Sequence, residues 1–231
     1  MQIVQNAPDK QTGGRTAAYV LPFAIFMAFV VLRSILPLPL LLDEVLRVVV
    51  VTGALWMVSR PVLDFRVTNW AASALLGLGI FVIWILPDVV WPAYRHSVLF
   101  DNVITGTVNP SFDDSVQADA ITLLIRGIRA VLLVPVIEEL FWRGWLSRWL
   151  VEHHFETVPL GRFTTRAFWA VAILFAAEHG PYWDVGLVAG ILFNLWIKRT
   201  RSLGDLIFAH AMANLALSVY VVATGKWQYW G

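Results

Sequence analysis

The stretch VPVIEELFWRGWL, Val134 to Leu146, places two adjacent glutamates and an arginine within a run that is otherwise apolar and helical in pattern. Ionisable groups at membrane depth are costly, usually face the interior of a helix bundle, and mark functional sites. Glu139 and Arg143 are four residues apart with the acid first, the favourable order for an ion pair on one helix face. Glu138 is rotated by about 100° from Glu139 and has no cationic residue three or four positions later. Glu138 therefore needs a partner from another helix, or it is free to act as a general base on water.

The composition is that of a membrane protein. Of 231 residues, 58% are hydrophobic and 14% charged, and the mean hydropathy is +0.69, whereas about 25% of the residues in soluble domains are charged. The formal net charge of +1 carries no basic excess, so we expect no nucleic-acid partner. Cysteine is absent, which excludes disulfides, thiolate catalysis and cysteine-ligated metals.

Seven apolar segments are long enough to cross, or nearly cross, a hydrocarbon core. We therefore predict an all-α polytopic transmembrane helix bundle of about seven spans. Residues 1–17 form a polar N-terminal tail, residues 18–231 form one membrane-embedded domain, and the 92–120 connection is a loose loop. The seven segments are Ala18–Leu36, Val45–Ser59, Trp70–Trp91, Leu123–Trp145, Ala167–His179, Val185–Ile197 and Leu206–Thr224.

The distribution of lysine and arginine between the spans predicts the orientation. With the N-terminus inside, the inner segments hold most of these residues, and the outer connection from Pro92 to Ala120 is acidic. This arrangement satisfies the positive-inside rule. We expect an integral protein of the bacterial inner membrane with a cytoplasmic N-terminus.

Further polar groups lie within the fifth and seventh spans. Phe175 and His179 are four residues apart, as are His210 and Asn214, so each pair shares one helix face. A carboxylate, two imidazoles and an amide that converge in a wet pocket supply a base, a proton shuttle and donors to an oxyanion. Simpler roles remain open at this point: an intramembrane histidine commonly bonds a neighbouring helix, and an asparagine commonly joins helices. We interpret Glu178 as a lining or loop acid, and Arg33, Arg126 and Arg129 as structural residues that extend toward an interface.

Two helix breaks affect whether these groups meet. Pro135 cannot donate a backbone hydrogen bond, which predicts a kink that opens room for water near Glu138. Gly180 and Pro181 predict that the fifth helix stops inside the membrane and that its loop dips back. We expect the Glu138 carboxylate and the His179 ring to lie within about 10 Å of each other.

Three motifs carry a resemblance to a known family. EELFWR fits EExxxR, FAAEH fits FxxxH and HAMAN fits HxxxN. In this order and rough spacing, the chain resembles the CAAX-protease and bacteriocin-processing family of intramembrane endopeptidases, and it is similar to the bacterial subgroup of CAAX prenyl protease-related proteins. The motif core covers residues 131–217.

The resemblance implies specific roles. Glu138 and His179 would activate the attacking water, and His210 and Asn214 would stabilise the oxyanion. Glu139, Arg143 and Phe175 would support the site. No metal is expected to be obligatory; the alternative is Zn²⁺ held by Glu138, His179 and His210.

The expected function is that of an endopeptidase that cleaves a membrane-anchored or sorting-signal-bearing protein in the lipid bilayer. Two alternatives stay open. One is a non-catalytic scaffold or an immunity-type partner protein. The other is a proton-coupled transporter, which would also place acids and histidines at mid-membrane, although no inverted repeat is evident.

Overall fold

A computed structural model describes residues 10–36, 38–108 and 119–230, and these contain seven main helices and no strand. The all-α class predicted from the sequence is thereby confirmed, whereas the number of membrane spans, expected to be about seven, stays a prediction. The helices are α1 Lys10–Ile35, α2 Leu40–Ala54 with a π-helical extension Leu55–Ser59, α3 Trp70–Val90, α4 Ala120–Trp149, α5 Thr165–Ala177, α6 Trp183–Thr200 and α7 Leu203–Thr224.

Four of these helices are long and apolar enough to cross a membrane. They are α1 (over Arg15–Arg33), α3, α4 and α7, with mean hydropathies between 1.9 and 2.1. Their outward faces carry exposed aliphatic side chains, among them Leu75, Leu124 and Val219. A helix satisfies its own backbone hydrogen bonds, so such a surface is stable in lipid. The chain is an integral membrane protein.

Helix α4 changes its winding around the acidic pair. Two π-helical segments, Arg129–Leu133 and Leu140–Leu146, flank the α-helical stretch Val134–Glu139. Pro135 lies just after the first segment and has no backbone N–H to bond the preceding turn. The break predicted at Pro135 therefore takes the form of a widened turn, a feature that often accompanies functional sites.

Close backbone approach joins α7 to α3 and α6 to α5. A Cβ added at Gly77 of α3 would lie 2.3 Å from the Ala209 carbonyl oxygen of α7, and one added at Gly190 of α6 would lie 3.2 Å from the Ala172 carbonyl oxygen of α5. Glycine allows these helices to pack this tightly. The core between them is fully buried and includes Ile137, Leu140, Val171, Phe175, Phe193 and Leu206.

The connection after α3 is anchored at Arg95, although most of its described residues are exposed, and the expectation of a loose loop stays a prediction. Arg95 is 3% exposed, and its guanidinium bonds Asp88 at 3.1 Å, Asp184 at 2.9 Å and the Pro181 carbonyl at 2.6 Å. Arg95 thereby fastens the turn that follows α5. Residues 109–118 of the predicted loop lie outside the described residues.

Two other expectations are corrected. Helix α1 begins at Lys10, so the predicted polar tail of residues 1–17 is helical from that point, and residues 1–9 lie outside the described part. Arg126 and Arg129 do not extend to an interface: they are 5% and 9% exposed, and both bind the Glu44 carboxylate. Hydrogen bonds between a guanidinium group and a carboxylate are short and strong, and they keep both arginine side chains inside the bundle.

Candidate active site

A cavity of about 500 Å³ lies inside the bundle. It collects the polar groups that the sequence assigns to separate spans. Its walls come from α1 to α7, and the predicted site residues that line it are Glu138, Phe175, His179, His210 and Asn214. Glu139 and Arg143 lie behind this wall with no exposure.

Three ligating side chains form a close group in this cavity. One carboxylate oxygen each from Glu138 and Glu178 and one ring nitrogen of His179 lie within 4.8 Å of one another. The distance between the Glu138 carboxylate and the His179 ring is therefore well below the limit of about 10 Å expected from the sequence. Helix α4 and the end of α5 do meet.

Glu138 has an incomplete set of partners. The residue is 7% exposed, and its Oε2 atom is buried without a hydrogen-bond partner among the described residues. On α7, His210 Nε2 lies 3.9 Å from this oxygen. Because a buried polar atom without a partner costs free energy, this oxygen is suited to hold a water, a substrate or an ion.

Glu178 lines the cavity and belongs to the close group, so of the two roles considered for it the lining residue agrees with the structure. It is the C-terminal cap residue of α5, directly before His179, and its Oε1 accepts a hydrogen bond of 2.9 Å from the Trp142 indole. Trp142 lies on α4, four residues after Glu138. The signal in the sequence was the adjacency of an acid to a motif histidine at a helix end.

The tautomer of His179 is set by its own helix. Its Nδ1 lies 2.7 Å from the Phe175 carbonyl oxygen. A carbonyl only accepts, so Nδ1 carries the proton and a neutral ring has a lone pair on Nε2. The Phe175 and Trp84 rings pack at 4.7 and 5.1 Å and fix the imidazole plane.

His210 lies between the two adjacent glutamates. Its Nδ1 is 2.8 Å from Glu139 Oε1, and its Nε2 faces Glu138. An ionised carboxylate has no proton to donate, so Nδ1 is the donor to Glu139. Glu139 thus orients His210 in addition to pairing with Arg143, a second role that the sequence did not reveal.

The Glu139–Arg143 pair is saturated by hydrogen bonds. Both side chains are 0% exposed, and Arg143 Nη1 lies 3.1 Å from Glu139 Oε2. Arg143 Nε also donates to Asn194 Oδ1 at 2.9 Å, and Asn194 Nδ2 donates to the Phe168 carbonyl at 3.0 Å. The predicted ion pair therefore exists, and Asn194 is a partner that sequence reasoning missed. An asparagine within the otherwise apolar α6 was the available signal.

Two predicted site residues take contacts of a different kind. Phe175 is 1% exposed, and its ring lies 4.5 Å from the Arg143 guanidinium. Asn214 lines the cavity, but its Nδ2 donates a 2.8 Å bond to the Ala130 carbonyl in the first π-helical segment. Asn214 therefore joins α7 to α4 and keeps one further amide hydrogen.

The chemistry of the close group suits a divalent metal ion. Two carboxylates and an imidazole are zinc ligands, and one of the two carboxylates belongs to Glu138. Zinc bonds of about 2.0–2.1 Å in a tetrahedron place ligand atoms about 3.4 Å apart, and the atoms of this group all lie within 4.8 Å of one another. The group contains Glu178 in place of His210, which the sequence had proposed as a ligand.

Comparison with protein families places these residues in context. The family model described as Type II CAAX prenyl endopeptidase Rce1-like matches residues 120–216. Comparison with curated proteins and with solved structures gave no significant match. The matched region contains α4, α5, α6 and most of α7, and with them all three motifs. The resemblance of this chain to the CAAX-protease family, predicted from the motifs EELFWR, FAAEH and HAMAN, is confirmed.

Proposed function

We propose that this protein is an intramembrane endopeptidase that hydrolyses a peptide bond of a membrane-associated protein by direct attack of water. The observation that carries the proposal is the buried Glu138 Oε2 atom, which has no hydrogen-bond partner in the described part of the chain and lies in a cavity shared with His179 and Glu178. The match to a family of endopeptidases supports the same class of reaction, which is hydrolysis of a peptide bond. No serine or cysteine nucleophile is required.

Glu138 and His179 act on the water. The Glu138 carboxylate takes a proton from the water as the water oxygen attacks the scissile carbonyl carbon. The His179 Nε2 lone pair accepts a hydrogen bond from the other hydrogen of the water and thereby orients the water molecule. The resulting tetrahedral intermediate collapses with cleavage of the C–N bond. Glu138 then returns its proton to the leaving nitrogen, which gives a carboxylic acid and an amine. The proton of the acid passes to the amine, so the final products are a carboxylate and an ammonium group.

His210 and Asn214 stabilise the oxyanion. Since Nδ1 of His210 donates to Glu139, donation from Nε2 to the oxyanion requires a ring that carries a proton on both nitrogens. Asn214 lies about 6 Å along α7 from His210 and contributes its remaining amide hydrogen. Donors aimed at developing charge in a water-poor site lower the barrier.

We propose that no metal is obligatory for this reaction. If Zn²⁺ binds, Glu138, Glu178 and His179 would hold it, and the ion would polarise the scissile carbonyl. Purified protein treated with a zinc chelator is expected to keep its cleavage rate, and its zinc content should be substoichiometric. Stoichiometric zinc that falls in a Glu178→Gln variant, together with loss of cleavage on chelation, would show a metal enzyme instead.

The test of the function is a comparison of protein termini in the membrane fraction of cells. Cells that carry the wild-type gene should contain truncated termini that are missing both from gene-deleted cells and from cells that carry Glu138→Gln. The variant protein should be present at the wild-type level. Identical termini in all three strains would support a scaffold or immunity-type protein, and a changed pH gradient without new termini would support a transporter.

A further inference from the structure

A short hairpin in the connection after α3 exposes aliphatic side chains away from the helix faces. It spans residues 97–106, and an antiparallel bridge between Asn102 and Gly106 closes it. At its tip, Val103 is 103% exposed and Ile104 is 95% exposed. Contact of such side chains with water is unfavourable, so the tip is suited to an apolar surrounding. We call residues 97–106 the aliphatic hairpin.

One end of the bundle gives a common reference for depth, because α3 and α5 both begin there. The Asn69 backbone N–H, directly before α3, donates to the Asp205 carboxylate near the start of α7 at 2.9 Å. The Gly161 backbone, shortly before α5, packs so closely on the Ile197 carbonyl oxygen that a Cβ would not fit. Ile197 lies in the last turn of α6, and only residues 201–202 separate α6 from α7. The starts of α3 and α5 therefore lie at the same end.

The aliphatic hairpin packs on the far end of the shorter of these two helices. Helix α3 has 21 residues and α5 has 13, which correspond to lengths of about 32 Å and about 20 Å. A Cβ added at Gly180, after α5, would lie 2.9 Å from the Thr105 carbonyl oxygen, and the Trp183 indole donates to the Leu99 carbonyl at 3.1 Å. The hydrocarbon core is about 30 Å thick, so α3 crosses it, whereas α5 and the hairpin end about 10 Å short of the far side. After α3, the chain returns to membrane depth.

The hairpin satisfies much of its backbone with its own hydrogen bonds. The N–H groups of Phe100 and Asp101 each donate to the Ser97 carbonyl at 3.0 Å. Asn102 exchanges two backbone hydrogen bonds with Gly106, and its side-chain oxygen accepts from two further N–H groups of the tip at 2.8 and 3.0 Å. Backbone groups without partners are costly next to lipid. The hairpin therefore carries a smaller cost of entering the bilayer than an open loop would.

We propose that the aliphatic hairpin inserts Val103 and Ile104 among the acyl chains of the bilayer and anchors the α5–α6 turn at a fixed depth. Phospholipid is the partner because the hairpin lies at membrane depth, and a depth of about 5–10 Å is usual for apolar elements that lie in the membrane interface. His179 directly precedes Gly180, which contacts the hairpin, so the anchor also sets the depth of His179. The insertion does not depend on the proposed peptidase function.

The test uses spin labels at single cysteines, since the chain contains no cysteine of its own. The full-length variants are Val103→Cys, Leu75→Cys on the lipid-facing surface of α3, and Arg162→Cys at an exposed polar position. Each is placed in phosphatidylcholine vesicles, and its collision rates are measured with oxygen, which concentrates among acyl chains, and with a water-soluble nickel chelate. The ratio of oxygen to nickel collisions at Val103 should equal that at Leu75 and exceed that at Arg162 several-fold.

Three results would overturn the inference. A ratio at Val103 equal to that at Arg162 would place the tip in water. Low collision rates with both reagents would place the tip in a protein contact, and spin–spin broadening would identify a second copy of the chain as the partner.

The third result comes from a charge beside the label. Adding Ile104→Asp to Val103→Cys should lower the ratio toward that at Arg162, because a carboxylate is costly among acyl chains, and Ile104→Leu should leave the ratio unchanged. An unchanged ratio with Ile104→Asp would show that the label alone enters the bilayer, without the hairpin.

Discussion

Glu138 and Glu139 are neighbours in the chain, but their surroundings differ in kind. Glu139 is completely buried and pairs with Arg143 at 3.1 Å and with His210 at 2.8 Å. Glu138 faces the cavity, and its Oε2 atom has no hydrogen-bond partner in the described residues. A rotation of about 100° along one helix separates a carboxylate with an ion pair and a histidine partner from the carboxylate that we propose to be the general base.

The largest expected effect on stability comes from breaking the ion pair between Glu139 and Arg143. Arg143→Leu leaves the Glu139 carboxylate buried without its cation, and loss of one partner of such a pair costs about 3–5 kcal/mol. The free energy of unfolding, measured by denaturant titration in detergent micelles, should fall by that amount. Arg162→Leu, at an exposed position, is the matched control. A loss below about 1 kcal/mol, as for a surface ion pair, would contradict the assigned role.

A smaller loss should follow from removing the amide that supports Arg143. Asn194→Leu deletes the 2.9 Å acceptor of Arg143 Nε. Hydrogen bonds to charged groups contribute about 1.5–3 kcal/mol, so the free energy of unfolding should fall within that range. Lys198→Ala, on the exposed face of the same helix, should change it by less than about 0.5 kcal/mol. Equal effects of the two substitutions would show that Asn194 is not part of the network.

The smallest expected effect concerns the cleavage rate and tests the surroundings of Glu138. Trp142→Phe removes the donor to Glu178 but keeps an aromatic ring, and we expect kcat/KM to fall about tenfold with little change in stability. Trp145→Phe is a matched control, because the Trp145 indole nitrogen is buried and has no hydrogen-bond partner within the described ranges. If both variants lose activity to the same extent, the Glu178 contact has no role in the reaction.

The sequence predicted the features that depend on local spacing. Apolar length gave the seven helices, and the four-residue interval identified Glu139 as the partner of Arg143. The meeting of Glu138 and His179 followed from the assumption that buried polar groups converge. Each of these inferences needed only one segment or the general cost of burying charge.

The features that escaped prediction depend on contacts between distant segments. Glu44 lies 82 residues before Arg126. It precedes the second apolar segment, because the hydropathy pattern places the start of that segment at Val45. Helix α2 actually begins at Leu40, which buries Asp43 and Glu44 in the bundle. Asn194 lies 51 residues after Arg143 on a helix whose rotation the sequence pattern does not fix. Helix packing, rather than local pattern, decides such pairs.

The most direct test of the division between the two glutamates is to measure peptide cleavage and unfolding in parallel for Glu138→Gln and Glu139→Gln. The account predicts that Glu138→Gln lowers the cleavage rate at least about 100-fold, as expected for loss of a general base, with an unchanged free energy of unfolding. Glu139→Gln should instead lower the free energy of unfolding, because it leaves Arg143 without its counter-charge. Wild-type cleavage by Glu138→Gln would contradict the central claim.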